Sequence, residues 1–228
     1  MTKLNLNQKP EKLILLGLGD VLATIEDDPA GFGLSEGTYH SKRFETVDQI
    51  SEMAETALTK LNPSEFLLFV SVDSNAMNHA RLELYGRARL MGFKMTNLIH
   101  RSTIISPSVE ISDNVYIGPG VVIGRSSKIA SNSFIGSAAR IDARVRIASH
   151  CWIGAGSKIG ADSRVDSHVV LGEDTLIGKN TEIEHHVLIE QHGPWHGKWR
   201  AGTYLEKLAA NAAITVGPSY SYTRKLSS

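Results

Sequence analysis

Ile111-Ser-Asp-Asn-Val-Tyr-Ile117-Gly-Pro-Gly-Val-Val-Ile123 sets the pattern from which the rest of the chain is read. An aliphatic residue returns at every sixth position from Ile99 through Ile147, Val165 and Leu171 to Ile189, sixteen times without a miss. Two places before most of these anchors sits a small or β-branched residue, such as Val115, Val121, Ser133, Ala139, Val145 or Cys151. A strand sends alternate side chains to opposite faces, so the anchor and the residue two before it point inward together. The two remaining positions turn a corner. The second of them carries Asn114, Gly120, Asn132, Gly156, Asp162 and Asn180, residue types that tolerate a positive φ. The spacing predicts a parallel β-solenoid from residue 99, and it makes Cys151 a packed residue rather than a reactive one.

The 228 residues leave room for one large domain or two modest ones. With 24 basic and 24 acidic residues the formal charge is zero, which gives no reason to expect nucleic acid or an acidic membrane as partner. The single cysteine permits no intrachain disulfide and fits a reducing compartment. The start, Met1-Thr-Lys-Leu-Asn-Leu, lacks the apolar run of a signal peptide, and no window approaches the roughly 20 apolar residues of a membrane span. A soluble cytoplasmic protein is the expectation.

Residues 1–98 read as a small α/β domain, 99–216 as the solenoid and 217–228 as a tail. Residues 13–20 read as a strand running into a glycine turn, and 21–28 as a second strand ending in acids. A helix spans 46–61, a buried strand 66–72, and a helix 76–91 closes at Gly92. Gly17-Leu-Gly19 reads as a tight turn, because the strand expected so soon after it leaves no room for a phosphate-binding helix. After His192 the hexads break. Residues 193–205 are expected as a loop extruded from a corner, with Leu208, Ala212 and Ile214 starting a further partial rung. Loops that interrupt a rigid scaffold commonly carry function, and this one is rich in His, Trp, Lys and Arg.

The repeat, the stretch from Phe66 to Ile105 with Ser71-Val-Asp-Ser-Asn75 and Leu90-Met-Gly-Phe-Lys94, and the junction Asn97-Leu-Ile-His-Arg-Ser-Thr-Ile-Ile105 together carry a likeness. Over about residues 12–190 the chain resembles the hexapeptide-repeat acyltransferases. More narrowly, it looks like the branch that acetylates sialic acids and nucleotide-linked amino sugars for surface glycans. The resemblance implies a small Rossmann-like domain followed by a left-handed parallel β-helix with three sides to each coil. It implies a homotrimer, acetyl-CoA as co-substrate, no metal, and a sugar or nucleotide-sugar acceptor. It also implies a histidine base that deprotonates an amine or hydroxyl. Asp73, Asn75 and Arg81 lie in the similar stretch and are its candidate substrate contacts. The branch's base sits in a sequence like Val-Asp-His-Asp, where this chain has Ile141-Asp-Ala143-Arg144; its comparable sequence is Ile183-Glu184-His185-His186.

Three sides per coil bring every eighteenth residue into line. Tyr116, Phe134, Trp152, Val170 and Leu188 make an outward apolar stripe, expected to pack against another subunit. Lys128, Arg146 and Arg164, capped by Glu110 and Glu182, form either a solvated charge ladder or a site for an anion. His150, His168 and His186 continue a column begun by Asn114 and Asn132. That favours left-handed corner residues over a metal ladder. His185 takes the first corner position and is a candidate base, with Glu184 or Glu190 to orient it. His192 and His196 are the alternatives, and Trp195, Lys198 and Arg200 are candidate contacts to acyl-CoA. Two other classes stay open: a zinc enzyme of the γ-carbonic-anhydrase kind and a non-catalytic solenoid scaffold.

Overall fold

The computed structural model describes residues 12–74, 78–207 and 214–215. Asn75, the expected rung residues Leu208 and Ala212, and the tail 217–228 lie outside the described residues. Four parallel strands, β1 (Lys12–Leu18), β2 (Tyr39–Arg43), β3 (Phe66–Val72) and β4 (Lys94–Met95), form a sheet in the order β2-β1-β3-β4. Period-two alternation sorts their side chains. Ile14, Leu16, Leu68 and Val70 pack with helices α2 (Val47–Thr59) and α3 (His79–Leu90), while Leu13, Leu15 and Phe69 face the other way.

Residues 21–28, expected as a strand, are instead helix α1 (Asp20–Asp27). Val21, Thr24 and Ile25 carry strand propensity, but tertiary contacts override it. Val21, Leu22 and Ile25 are buried in the cluster under the sheet, and Asp73, far along the chain, caps the helix start.

From Leu98 onward the chain coils into three faces of parallel strands whose registers step by eighteen residues, and by sixteen at Lys198 and Tyr204. Ile214–Thr215 pairs antiparallel with Thr203 and Tyr204 and so does not start the expected rung. The first face runs through Leu98–Ile99, Tyr116–Ile117, Phe134–Ile135, Trp152–Ile153, Val170–Leu171 and Leu188–Ile189. The second runs from Ile104–Ile105 to Leu176–Ile177 and the third from Glu110–Ile111 to Lys198–Trp199. The anchors and their small partners, from Val115 to Leu205, form one continuous core. Corner residues such as Asn114, Asn132, Asp162 and Asn180 have φ of 52 to 64°. The Cys151 thiol fills an inward slot and donates to the Asp166 carbonyl at 3.0 Å.

Two expectations fail here. The stripe of Tyr116, Phe134 and Trp152 is covered by this chain's own α/β unit, not by a second subunit. Tyr116 is 4% and Phe134 8% exposed, clustered with Leu13, Leu15, Phe32 and Phe69. The sheet needed a second apolar layer and the solenoid supplies it. The rings stack at centroid distances of 4.8 and 3.7 Å.

Residues 193–205 are likewise not extruded. Trp195 bridges to Ile177, Lys198–Trp199 pairs with Glu182–Ile183, and Thr203–Leu205 pairs with Leu188–Ile189. They form another full coil, with indoles in two inward slots and Leu205 in the third. The Trp195 and Trp199 rings meet edge to face at 5.2 Å. An aliphatic-only search misses this coil because its anchors change type and stand four apart at Trp195 and Trp199.

Candidate functional site

The edge between the third and first faces holds a polar column. Asn114 accepts a bond from the Val70 amide at 2.7 Å and donates to Asn132 Oδ1 at 2.7 Å. Asn132 Nδ2 lies 2.9 Å from His150 Nδ1. An amide nitrogen can only donate, so His150 Nδ1 accepts and its proton sits on Nε2. The rings of His150, His168 and His186 then stack at 4.9 and 4.7 Å. Stacked faces do not aim three nitrogens at one point, and no cluster of three metal-ligating side chains exists among the described residues. Burial, helped by His168 and Arg81, pulls His150 down to about 4.

At the exposed end of this column His185 Nδ1 lies 2.9 Å from His186 Nδ1, so one of the two nitrogens donates and the other accepts. His186 is held by stacking on His168, and burial, with His185 adding to it, keeps its pKa below the usual value. Glu184 does not bond His185. Its carboxylate accepts from the Ala201 amide at 2.9 Å and from Lys198 Nζ at 2.9 Å, which holds its pKa low. Glu190 accepts from the Lys207 amide at 3.3 Å on another edge. His185 thus meets the ring of His186 where a carboxylate partner was expected. The tandem His185-His186 was the available sequence signal, because phase puts the pair on adjacent corner positions.

The remaining candidates are dispersed. His192 stands on the edge between first and second faces, its Nδ1 3.3 Å from the Asp174 carbonyl, and His196 lies beside Gly178 on the third edge. Trp195 is turned into the core rather than outward, and its indole donates to Gln191 O at 3.0 Å. Lys198 is committed to Glu184, and Arg200 is exposed. On the third face Lys128 pairs with Glu110 at 2.7 Å, while Arg146 and Arg164 stand in register between them and Glu182. A shallow cleft of about 160 Å³, lined by Arg164, Asp166, Glu182, Glu184 and Lys198, lies on the same face, one residue from His185.

In the α/β unit Gly19, with φ 98°, leads directly into α1, so the turn read as too tight for a helix does open one. The helix start is already occupied. Asp73 accepts from the Asp20 amide at 2.6 Å and the Val21 amide at 3.1 Å. Arg81 is buried, donates to the Cys151 carbonyl at 3.0 Å and lies 5.5 Å from the Trp152 ring centre. Neither side chain is left to line an open pocket.

A family model, the GMPPB C-terminal domain, matches residues 93–193. No curated protein matches the chain. Among solved structures, a histidine-to-alanine variant of GDP-perosamine N-acetyltransferase from Caulobacter crescentus, in complex with CoA and GDP-perosamine, superposes with a TM-score of 0.70. It is 20% identical, over 90% of this chain and 97% of that one. The acetyltransferase domain of PglB from Neisseria gonorrhoeae, with acetyl coenzyme A, gives 0.57 at 18% identity over 90% and 99%. The likeness shows the fold: a small α/β unit followed by a left-handed parallel β-helix. No helix among the described residues is long and apolar enough to cross a membrane.

Proposed function

We propose that this chain transfers an acyl group from acyl-CoA to an amine or hydroxyl of a sugar, in a cytoplasmic setting and in the service of glycan synthesis. The observation that carries the reading is the joint arrangement of a small α/β unit and a solenoid, which superposes over 90% of the chain on two proteins solved with CoA or acetyl-CoA. On this reading residues 1–98 and 99–216 are the two working domains, and the subunits associate as a trimer. The second face supplies that contact, where Ile104 is 67% and Val122 38% exposed on adjacent rungs.

His185 is the base. Its ring is exposed, and with His185 Nδ1–H donating to His186 Nδ1 its Nε2 is the unprotonated nitrogen that takes the acceptor's proton. The acceptor nitrogen or oxygen then bonds to the thioester carbonyl carbon, the carbon–sulfur bond breaks, and the leaving thiolate recovers the proton from His185. Arg146 and Arg164, neighbours in register on the third face, are the cations proposed to meet an anionic co-substrate.

Thermal shift with acetyl-CoA and thiol release with amino-sugar acceptors test the reading. Stabilisation that grows with ligand concentration is expected. Indifference to CoA and to all its acyl esters overturns it. Ala143, standing where the resemblance places a base, favours a second reading as a non-catalytic scaffold, and the same titration separates the two.

A further inference from the structure

We infer that Asp73 is a specificity-determining residue that closes the α/β unit to a diphosphate, so that the acceptor is a sugar not anchored there by a nucleoside diphosphate. The inference rests on the acyltransferase reading only in the word acceptor. A strand, a glycine and a helix start in immediate succession make a ready anion site, because the first amides of a helix lack partners and carry its positive dipole end. Here β1, Gly19 and α1 build that geometry, and three features fill it from within.

First, the Asp20 and Val21 amides that would meet a phosphate are bonded to the two oxygens of one carboxylate, at 2.6 and 3.1 Å. Second, that carboxylate lies where a glycine normally leaves room for a ligand. A Cβ built on Gly19 would overlap Oδ1, Oδ2 and Cγ of Asp73, and one built on Gly17 would overlap the Ser71 carbonyl. Third, the surrounding charge is wrong for an anion. Asp20 adds a second carboxylate in the first turn, and the Arg81 guanidinium, whose charge already offsets that of Asp73, is buried against Cys151 and Trp152. A diphosphate would have to displace Asp73 and then sit beside it, two like charges at bonding distance in a partly buried site.

The test is calorimetry on the full chain with GDP, UDP and inorganic pyrophosphate, alongside Asp73→Asn and Asp73→Ser. Serine keeps a capping oxygen and removes the charge. The unaltered chain is expected to show no saturable binding below about 1 mM, and the variants to gain affinity at least about tenfold. Submillimolar binding of either nucleotide by the unaltered chain overturns the inference, and this arm needs no variant to fold. Variants that keep their cooperative thermal transition yet bind no better overturn the role of Asp73. Acetyl-CoA titrated into the same samples keeps failure of the acyltransferase reading distinct, since it leaves the nucleotide result standing.

Discussion

Arg81 Nη2 donates to the carbonyl oxygen of Cys151 at 3.0 Å, and this bond ties helix α3 to the wall of the solenoid. The guanidinium also faces the Trp152 ring, and burial lowers its pKa to about 10, which leaves it charged at neutral pH. Arg81→Ala is expected to cost about 2–4 kcal/mol in urea denaturation. Lysine should rescue little, because a point charge cannot bond the carbonyl and lie flat on the indole together. An alanine variant within about 0.5 kcal/mol of the parent would remove the latch.

Phe134 sits between the Tyr116 and Trp152 rings, under the sheet of the same chain. Phe134→Ala should lower stability by about 3–5 kcal/mol while leaving the molar mass by light scattering unchanged. A fall in molar mass without loss of stability would make the stripe an intersubunit surface after all.

Trp199 fills an inward slot of the added coil. Its replacement by alanine should cost about 3–5 kcal/mol, whereas His196→Ala, at an exposed corner, should change stability by under about 0.5 kcal/mol. Equal, small effects would fit a protruding loop instead.

These contrasts show where the sequence is legible. Sixteen anchors at one spacing declare the solenoid, because an inward slot tolerates only a narrow range of side chains. The coil built on Trp195, Trp199 and Leu205 obeys the same packing demand with different residues, so a pattern of residue types passes over it. Helix α1 is harder still. Its start is stabilised by Asp73, some fifty residues away, and no local propensity carries that information. The covering of Tyr116 and Phe134 by Leu13 and Leu15 is equally non-local. Phase reveals that a face is apolar, and only the tertiary fold says what lies on it. The candidate site follows suit: phase put His185 and His186 on one corner, but not the hydrogen bond between their rings.

His150 gives stability a dependence on pH. Its folded pKa, about 4, lies below the ordinary 6.5, so the unfolded chain binds a proton that the folded chain refuses. Its contribution is therefore full above about pH 6.5 and is lost as pH falls toward about 4. For a ring only partly buried, solvent screening reduces the effect to about 1–2 kcal/mol. His150→Asn continues the column of Asn114 and Asn132, and should flatten the difference in denaturation midpoint between pH 7 and pH 5. An unchanged slope in the variant would assign that dependence elsewhere.

His185 and Glu184 separate the catalytic assignment from its neighbours. His185→Ala should lower kcat about a hundredfold, and His186→Ala, which removes the hydrogen-bond partner, should lower it by a smaller factor and move the pH profile. Glu184→Gln should change kcat little, since that carboxylate serves Lys198 and the Ala201 amide. A Glu184 effect as large as that of His185 would return the orienting role to the carboxylate.

Cys151 offers a use for the solenoid's own interior. Its sulfur is wholly enclosed and burial drives the thiol up to about 12, so the folded coil presents neither access nor thiolate to an alkylating reagent. Labelling can then proceed only during excursions in which neighbouring rungs part. The rate of adduct formation becomes a clock for the breathing of the prism, read at a single atom in its middle and requiring no introduced probe.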